Sequence, residues 1–124
     1  MPKSAAEMVG EAKQQIENLT PDQVEQELAT GAVLVDLREA EEVAAARIPG
    51  AVHVPRGMLE FRADPSSPYH QEGLDPSARV ILHCASGGRS ALAAATLKQM
   101  GYDRVAHLEG GIGAWKEAGK PVDS

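Results

Sequence analysis

The chain is short of cysteine, of aromatic residues, of positive charge and of long apolar runs. Its single cysteine, Cys84, excludes an internal disulfide and a paired-thiol redox motif, and it fits a reducing compartment. With aromatics at 3%, the core has to be built mainly from Val, Ile, Leu, Ala and Met. Twelve Lys and Arg against 18 Asp and Glu leave a formal net charge of −6, which argues against a nucleic-acid surface. Any anion handled here must therefore be gathered locally, by a few arginines or by oriented amides. No stretch approaches the roughly 18 apolar residues of a membrane span, and "MPKSAAEMVGEAKQQIENL" lacks the apolar centre of a signal peptide. The expectation is a cytoplasmic protein with neither nucleic-acid nor membrane partners.

What is present is an alternation of short apolar runs and helical patterns over 124 residues, a length suited to one domain. Ala5, Met8, Ala12, Ile16 and Leu19 recur at helical steps, which predicts a helix over 5–18. Thr20, Pro21 and Gln23 have the pattern of a capping box with proline in the first turn, and Gly31 is the expected stop. Short buried strands are expected at 32–36, 51–54, 79–83 and 104–108. Helical segments are expected over 39–46, around Met58–Phe61, from Gly88 to Met100, and in "GGIGAWKEAG". "DPSSP" and "LDPS" mark turns in 55–78, a segment with no recognisable motif. The alternation implies α/β architecture with a mainly parallel sheet.

Cys84 ends an apolar run and is followed by Ala85, Ser86, Gly87, Gly88, Arg89 and Ser90 before a helix. In an α/β sheet, ligands bind beyond the carboxyl ends of the strands, where this turn should lie. Small side chains let successive N–H groups curl inward into an anion-binding concavity, and the helix N-terminus adds partial positive charge. Both features favour a thiolate. A lone strand-end cysteine is more often a small buried hydrophobe. The Ser-Gly-Gly turn, the arginine and the helix start outweigh that reading here.

Several motifs together give the chain its resemblance to the rhodanese family, specifically to a single-domain sulfurtransferase. "VDLRE" (35–39) is similar to the family's D-x-R-E, and "RIPGAVHVP" (47–55) to its H-I-P-G-A-x-x-I-P. "HCASGGRS" (83–90) resembles the catalytic loop, and "GYDRVAHLEGGIGAWKEAGKPV" (101–122) the closing motif. The likeness runs from Thr20 to Val122, leaving 1–19 as an N-terminal helical extension before a rhodanese-like domain over 20–124. Rhodanese-type loops count six residues from Cys to Arg, as Cys84 to Arg89 does, whereas phosphatases of the same fold use one more. This chain departs from the family in carrying Ala46-Arg47 before "IPGA" and no charge in the loop before Arg89.

The resemblance implies a three-layer fold and ping-pong sulfur transfer. Cys84 would attack thiosulfate or another sulfane donor, residues 85–90 would cradle the resulting persulfide, and cyanide or a thiol would take the sulfur. It implies no metal or organic cofactor, and it allows a protein as sulfur acceptor. A phosphatase or arsenate reductase of the same fold, and a non-catalytic binding module, are the alternatives. Asp36, Arg38 and Glu39 lie at the same sheet edge. They either brace Arg89 and the loop amides or form a structural cap and ion pair. Arg47, Arg56 and Arg62 read as a solvated face, Trp115 as packing, and the N-terminal helix as packed on the domain. His83 should point away from the Cys84 side chain, and His53, His70 and His107 show no metal-ligand spacing.

Overall fold

A computed structural model describes residues 2–124 and gives twelve elements in chain order. They are α1 (Ala5–Gln15), β1 (Glu17–Leu19), α2 (Pro21–Ala29), β2 (Val33–Asp36), α3 (Ala40–Ala45) and β3 (Val52–His53). A 3-10 turn (Arg56–Met58) leads into α4 (Leu59–Ala63), then β4 (Val80–His83), α5 (Gly88–Gln99), β5 (Ala106–Leu108) and α6 (Gly111–Glu117).

The five strands lie in the order β1-β5-β4-β2-β3, every neighbouring pair parallel. Alternation along the strands divides the core between the two faces. Leu34 and Ile81 face Val24, Ile112 and Trp115 of α2 and α6. Val35, Val80 and Leu82 face Leu59 and Ala63 of α4 and Ala93, Ala94 and Leu97 of α5. The result is helix, sheet, helix. None of the helices among the described residues is long and apolar enough to cross a membrane.

The capping box at Thr20 forms as the sequence predicts, with Gln23 N–H on Thr20 Oγ1 at 3.2 Å and Thr20 N–H on Gln23 Oε1 at 2.9 Å. The N-terminal reading needs correction. The helix expected over 5–18 ends at Gln15, and Glu17–Leu19 is an edge strand in register with Ala106–Leu108. An apolar residue at position 19 serves a helix stripe or a strand equally well, and pairing with β5 decides for the strand. Glu17–Leu19 therefore belongs to the same sheet as the later strands, and α1 packs on α5.

Residues 55–78, without a motif, are anchored by packing. Leu59, Ala63 and Leu74 are buried, and Tyr102 donates its hydroxyl to the Ala63 carbonyl at 2.7 Å. The two turn signals form Asx turns, Asp64 accepting from Ser66 N–H and Asp75 from Ser77 N–H, both at 2.9 Å.

Candidate active site

β4 lies at the middle of the sheet, and Cys84 is the first residue beyond its carboxyl end. The chain then reverses through Gly87, whose φ of +108° is left-handed, and enters α5. A Cβ at Gly87 would also press on the Gly110 amide nitrogen at 3.3 Å, so the tight packing adds to the preference for glycine set by the backbone. The amide N–H groups of Gly87 and Ser90 point at Cys84 Sγ, at 3.2 and 3.4 Å, and the Ser90 hydroxyl lies 3.6 Å from it.

The carbonyls of this loop turn the other way because α6 receives them. Ile112 N–H donates to Cys84 O at 2.9 Å and Gly113 N–H to Ala85 O at 3.1 Å. Gly111 makes this approach feasible: its φ is +60°, and a Cβ there would lie 2.6 Å from the carbonyl carbon of Ala85. "LEGGIG" is thus the backbone rest on which the cysteine loop sits.

Cys84 is 1% exposed, and burial pushes its thiol up. The Ser90 hydroxyl and the amides of Ser90, Gly87 and Ser86 act oppositely and prevail, so the thiol titrates below its ordinary value. The amides within hydrogen-bonding distance of the resting thiol are those of Gly87 and Ser90. Ala85 and Gly88 shape the turn.

Arg89 reaches α3 and forms a bidentate ion pair with Glu42, at 2.8 and 3.0 Å. Hydrogen bonds from Arg89, helped by Glu39 N–H at 2.9 Å, hold the Glu42 carboxyl down to about 2. Arg89 is thus paired with Glu42, and Asp36 makes no bond to it. Asp36 is committed to Arg38, accepting its Nε and Nη2 at 3.0 and 2.8 Å and its backbone N–H at 3.0 Å. Arg38 donates further to the carbonyls of Glu42 and Ala46, at 3.3 and 2.7 Å. Burial raises and these bonds lower the Asp36 carboxyl, which ends below its usual range. Of the two readings open for Asp36 and Arg38, the buried structural pair is the one formed. Glu39 takes the N-cap position of α3.

Sequence reasoning missed Glu42, which looked like one charge among several in "EAEEVAAA". A carboxylate three residues after a helix N-cap is the available signal. His107, placed among histidines without metal spacing, proves to be hydrogen-bonded to Ser90. His83 does point away from the thiol: its Nδ1 lies 3.4 Å from Cys84 O and its Nε2 3.6 Å from Asp36. Burial lowers its pKa, leaving it neutral at pH 7.

A parallel α/β sheet carrying a cysteine loop at the end of its central strand defines a class of thiol-centred group-transfer domains. The comparisons narrow this. The Rhodanese-like domain family matches residues 20–118, and the chain belongs to that family. A sulfurtransferase of Allochromatium vinosum is 37% identical over 90 residues, which are 73% of this chain and 77% of the relative. The thiosulfate sulfurtransferase GlpE of Actinobacillus succinogenes is 33% identical over 108 residues, 86% of this chain and 89% of that one. Two further curated relatives are longer, the chain spanning 40% and 46% of their length. A solved structure from Rhodopseudomonas palustris, described as a protein of unknown function and possible tyrosine phosphatase, matches with a TM-score of 0.92 at 40% identity. That match covers 99% of this chain and 96% of the other, so the likeness includes α1 and β1.

Proposed function

We propose that this protein is a sulfurtransferase that carries a sulfane sulfur on Cys84. The carrying observation is the thiol itself, lowered in pKa by the Gly87 and Ser90 amides within a six-residue loop. In the first step the Cys84 thiolate attacks the outer sulfur of thiosulfate. A new S–S bond forms, the S–S bond of the donor breaks, and sulfite leaves with that bond's electron pair. The terminal sulfur of the persulfide is anionic and is held by the loop amides that held the thiolate. A thiophilic acceptor, cyanide or a thiol, then attacks that sulfur and regenerates the Cys84 thiolate. Sulfur carries the electrons throughout, and no cofactor enters the balance.

The donor is thiosulfate or a low-molecular-weight persulfide. Arg89, the one charged side chain of the loop, is already neutralised by Glu42, which weakens long-range attraction for a dianion and favours the persulfide. A thiol on a carrier protein would serve as acceptor by the same attack. The short loop and the commitment of Arg89 to Glu42 weigh against phosphoryl transfer.

The test is incubation with thiosulfate followed by mass spectrometry of the intact protein. One added sulfur on Cys84, and thiocyanate formed when cyanide is supplied, are expected. Absence of the persulfide, with wild type and Cys84→Ser behaving alike, overturns the reading. Competition between thiosulfate and glutathione persulfide then identifies the preferred donor, and hydrolysis of an aryl phosphate at comparable rates would favour the phosphatase alternative.

A further inference from the structure

Behind the cysteine loop, a chain of hydrogen bonds leads from the sulfur to the edge of the sheet. Cys84 Sγ is 3.6 Å from Ser90 Oγ, which is 2.8 Å from His107 Nδ1; His107 Nε2 is 2.8 Å from Asn18 Oδ1. Ser90 and His107 are fully buried. Three strands and a helix converge to make the chain. Asn18 on β1 and Leu82 on β4 are the register partners of His107 on β5, and α5 supplies Ser90.

Its polarity follows from Asn18. The Asn18 side-chain NH2 donates to the carbonyls of Lys13 and Ile16, at 3.0 and 3.2 Å, so its oxygen faces His107. His107 Nε2 must then carry a proton, which leaves Nδ1 of the neutral ring as an acceptor. Ser90 donates to that nitrogen in preference to its other acceptor, the Gly87 carbonyl at 3.3 Å, and its oxygen is free to accept from the Cys84 thiol. In this direction the chain runs S–H to O–H to Nδ1.

The geometry points to Ser90 and His107 as a proton relay for Cys84, with Asn18 as the residue that fixes its polarity. The Cys84 S–H bond breaks as its proton moves to Ser90 Oγ, and the Ser90 proton moves to His107 Nδ1. The products are a thiolate and an imidazolium, with His107 Nδ1–H now donating to Ser90, the Ser90 hydroxyl donating to sulfur, and Nε2–H still held by Asn18. His107 acts through Ser90 and is a positioning residue. The groups facing it are Asn18 from β1, Ser90 from α5, Glu109 at 3.7 Å from Nε2, and Lys13 of α1, which is paired with Glu109. Burial disfavours a charge on His107, while Glu109 favours it. The thiolate formed in the same event offsets the burial cost, so the two charges appear together. The N-terminal segment thereby becomes part of the site through Asn18. This inference concerns the thiol of the proposed sulfur-transfer step, and it is tested on the resting enzyme without a sulfur donor.

The test is the pH dependence of iodoacetamide alkylation of Cys84 in wild type and His107→Asn, in which the amide oxygen keeps an acceptor for Ser90 but cannot take a proton. Below the thiol pKa, the variant should lose about tenfold in rate per pH unit, whereas wild type should level to a plateau fed by the internally transferred proton. Superimposable profiles overturn the relay. A measurement on the native protein keeps the inference testable if the variant does not fold. Long-range nitrogen–proton NMR of the imidazoles should show His107 Nδ1 protonated to a measurable fraction in the plateau region, and bare after Cys84 is alkylated. An unchanged neutral ring in both states overturns the relay as well. Failure to form a persulfide with the plateau intact removes the sulfurtransferase reading alone; persulfide formation without the plateau removes the relay alone.

Discussion

Arg89 and Glu42 face each other in a bidentate ion pair, at 2.8 and 3.0 Å, that joins the first turn of α5 to α3. The pair commits the loop's only charged side chain to a carboxylate, while its guanidinium still feels the charge of Cys84. Both side chains are more than a third exposed, at 38% and 35%, so solvent screens the pair and its net worth is about 1 kcal/mol or less. The carboxyl is held down to about 2, so its stabilisation is complete above the ordinary carboxylate range and is lost as pH falls toward 2. Urea denaturation of wild type and Glu42→Gln should therefore differ by that amount at pH 7 and converge between about pH 4 and pH 2. A constant difference across the range would show that the pair is not the source.

Asp36 and Arg38 form a different kind of pair, with side chains 2% and 5% exposed. Asp36→Ala leaves a buried guanidinium uncompensated and should cost about 3–5 kcal/mol in chemical denaturation. The folded carboxyl titrates below its usual value, so this contribution is present above about pH 4 and fades as pH falls through the depressed value. Asp36→Asn should be milder, and where it folds its Cys84 alkylation profile should match wild type. A shifted profile would restore a site role for Asp36.

Ser90→Ala removes the hydroxyl that serves both Cys84 Sγ and His107 Nδ1. The thiol should titrate higher and alkylate more slowly at pH 7. The variant should also lose about 1–3 kcal/mol, because a buried ring nitrogen loses its donor. Thiol absorbance against pH and denaturant midpoints measure the two effects separately.

Two glycine substitutions should have opposite signs. Gly111→Ala drives a Cβ into the Cys84 and Ala85 carbonyls from a left-handed backbone, and should lower stability by at least about 1–3 kcal/mol and disturb Cys84 reactivity. Gly10→Ala, inside α1 with nothing within 4 Å of the new methyl, should stabilise by about 0.5–1 kcal/mol and leave the thiol unchanged. Thermal unfolding orders the three proteins.

The strands around β4 were legible because each is a short continuous apolar run rich in β-branched residues and bounded by turn residues, Val33–Asp36 and Val80–His83 above all. β1 was not, since three residues carry too little periodicity to separate a strand from the end of a helix. The helix α5 lies where the sequence places it, with Ala93 and Leu97 fully buried and Leu92, Thr96 and Met100 beside them partly buried. The face of Ala93, Ala94 and Leu97 packs on the sheet. Small alanines all round this helix leave its direction of burial to the neighbours, and α1 covers the flank that a polar solvent-facing side would otherwise occupy.

The sequence by itself determined the cysteine loop and its immediate frame. Cys84, the small residues after it and the left-handed Gly87 are contiguous, so local backbone chemistry is enough to aim amides at the sulfur. Only the tertiary structure decided which distant groups complete the site. Glu42 takes Arg89 from 47 residues away, Gly111 and Ile112 support the loop from behind, and Asn18 orients His107 across 89 residues of chain. Those partners are chosen by strand order and register, and strand order is a property of the packed sheet that no local run of residues encodes.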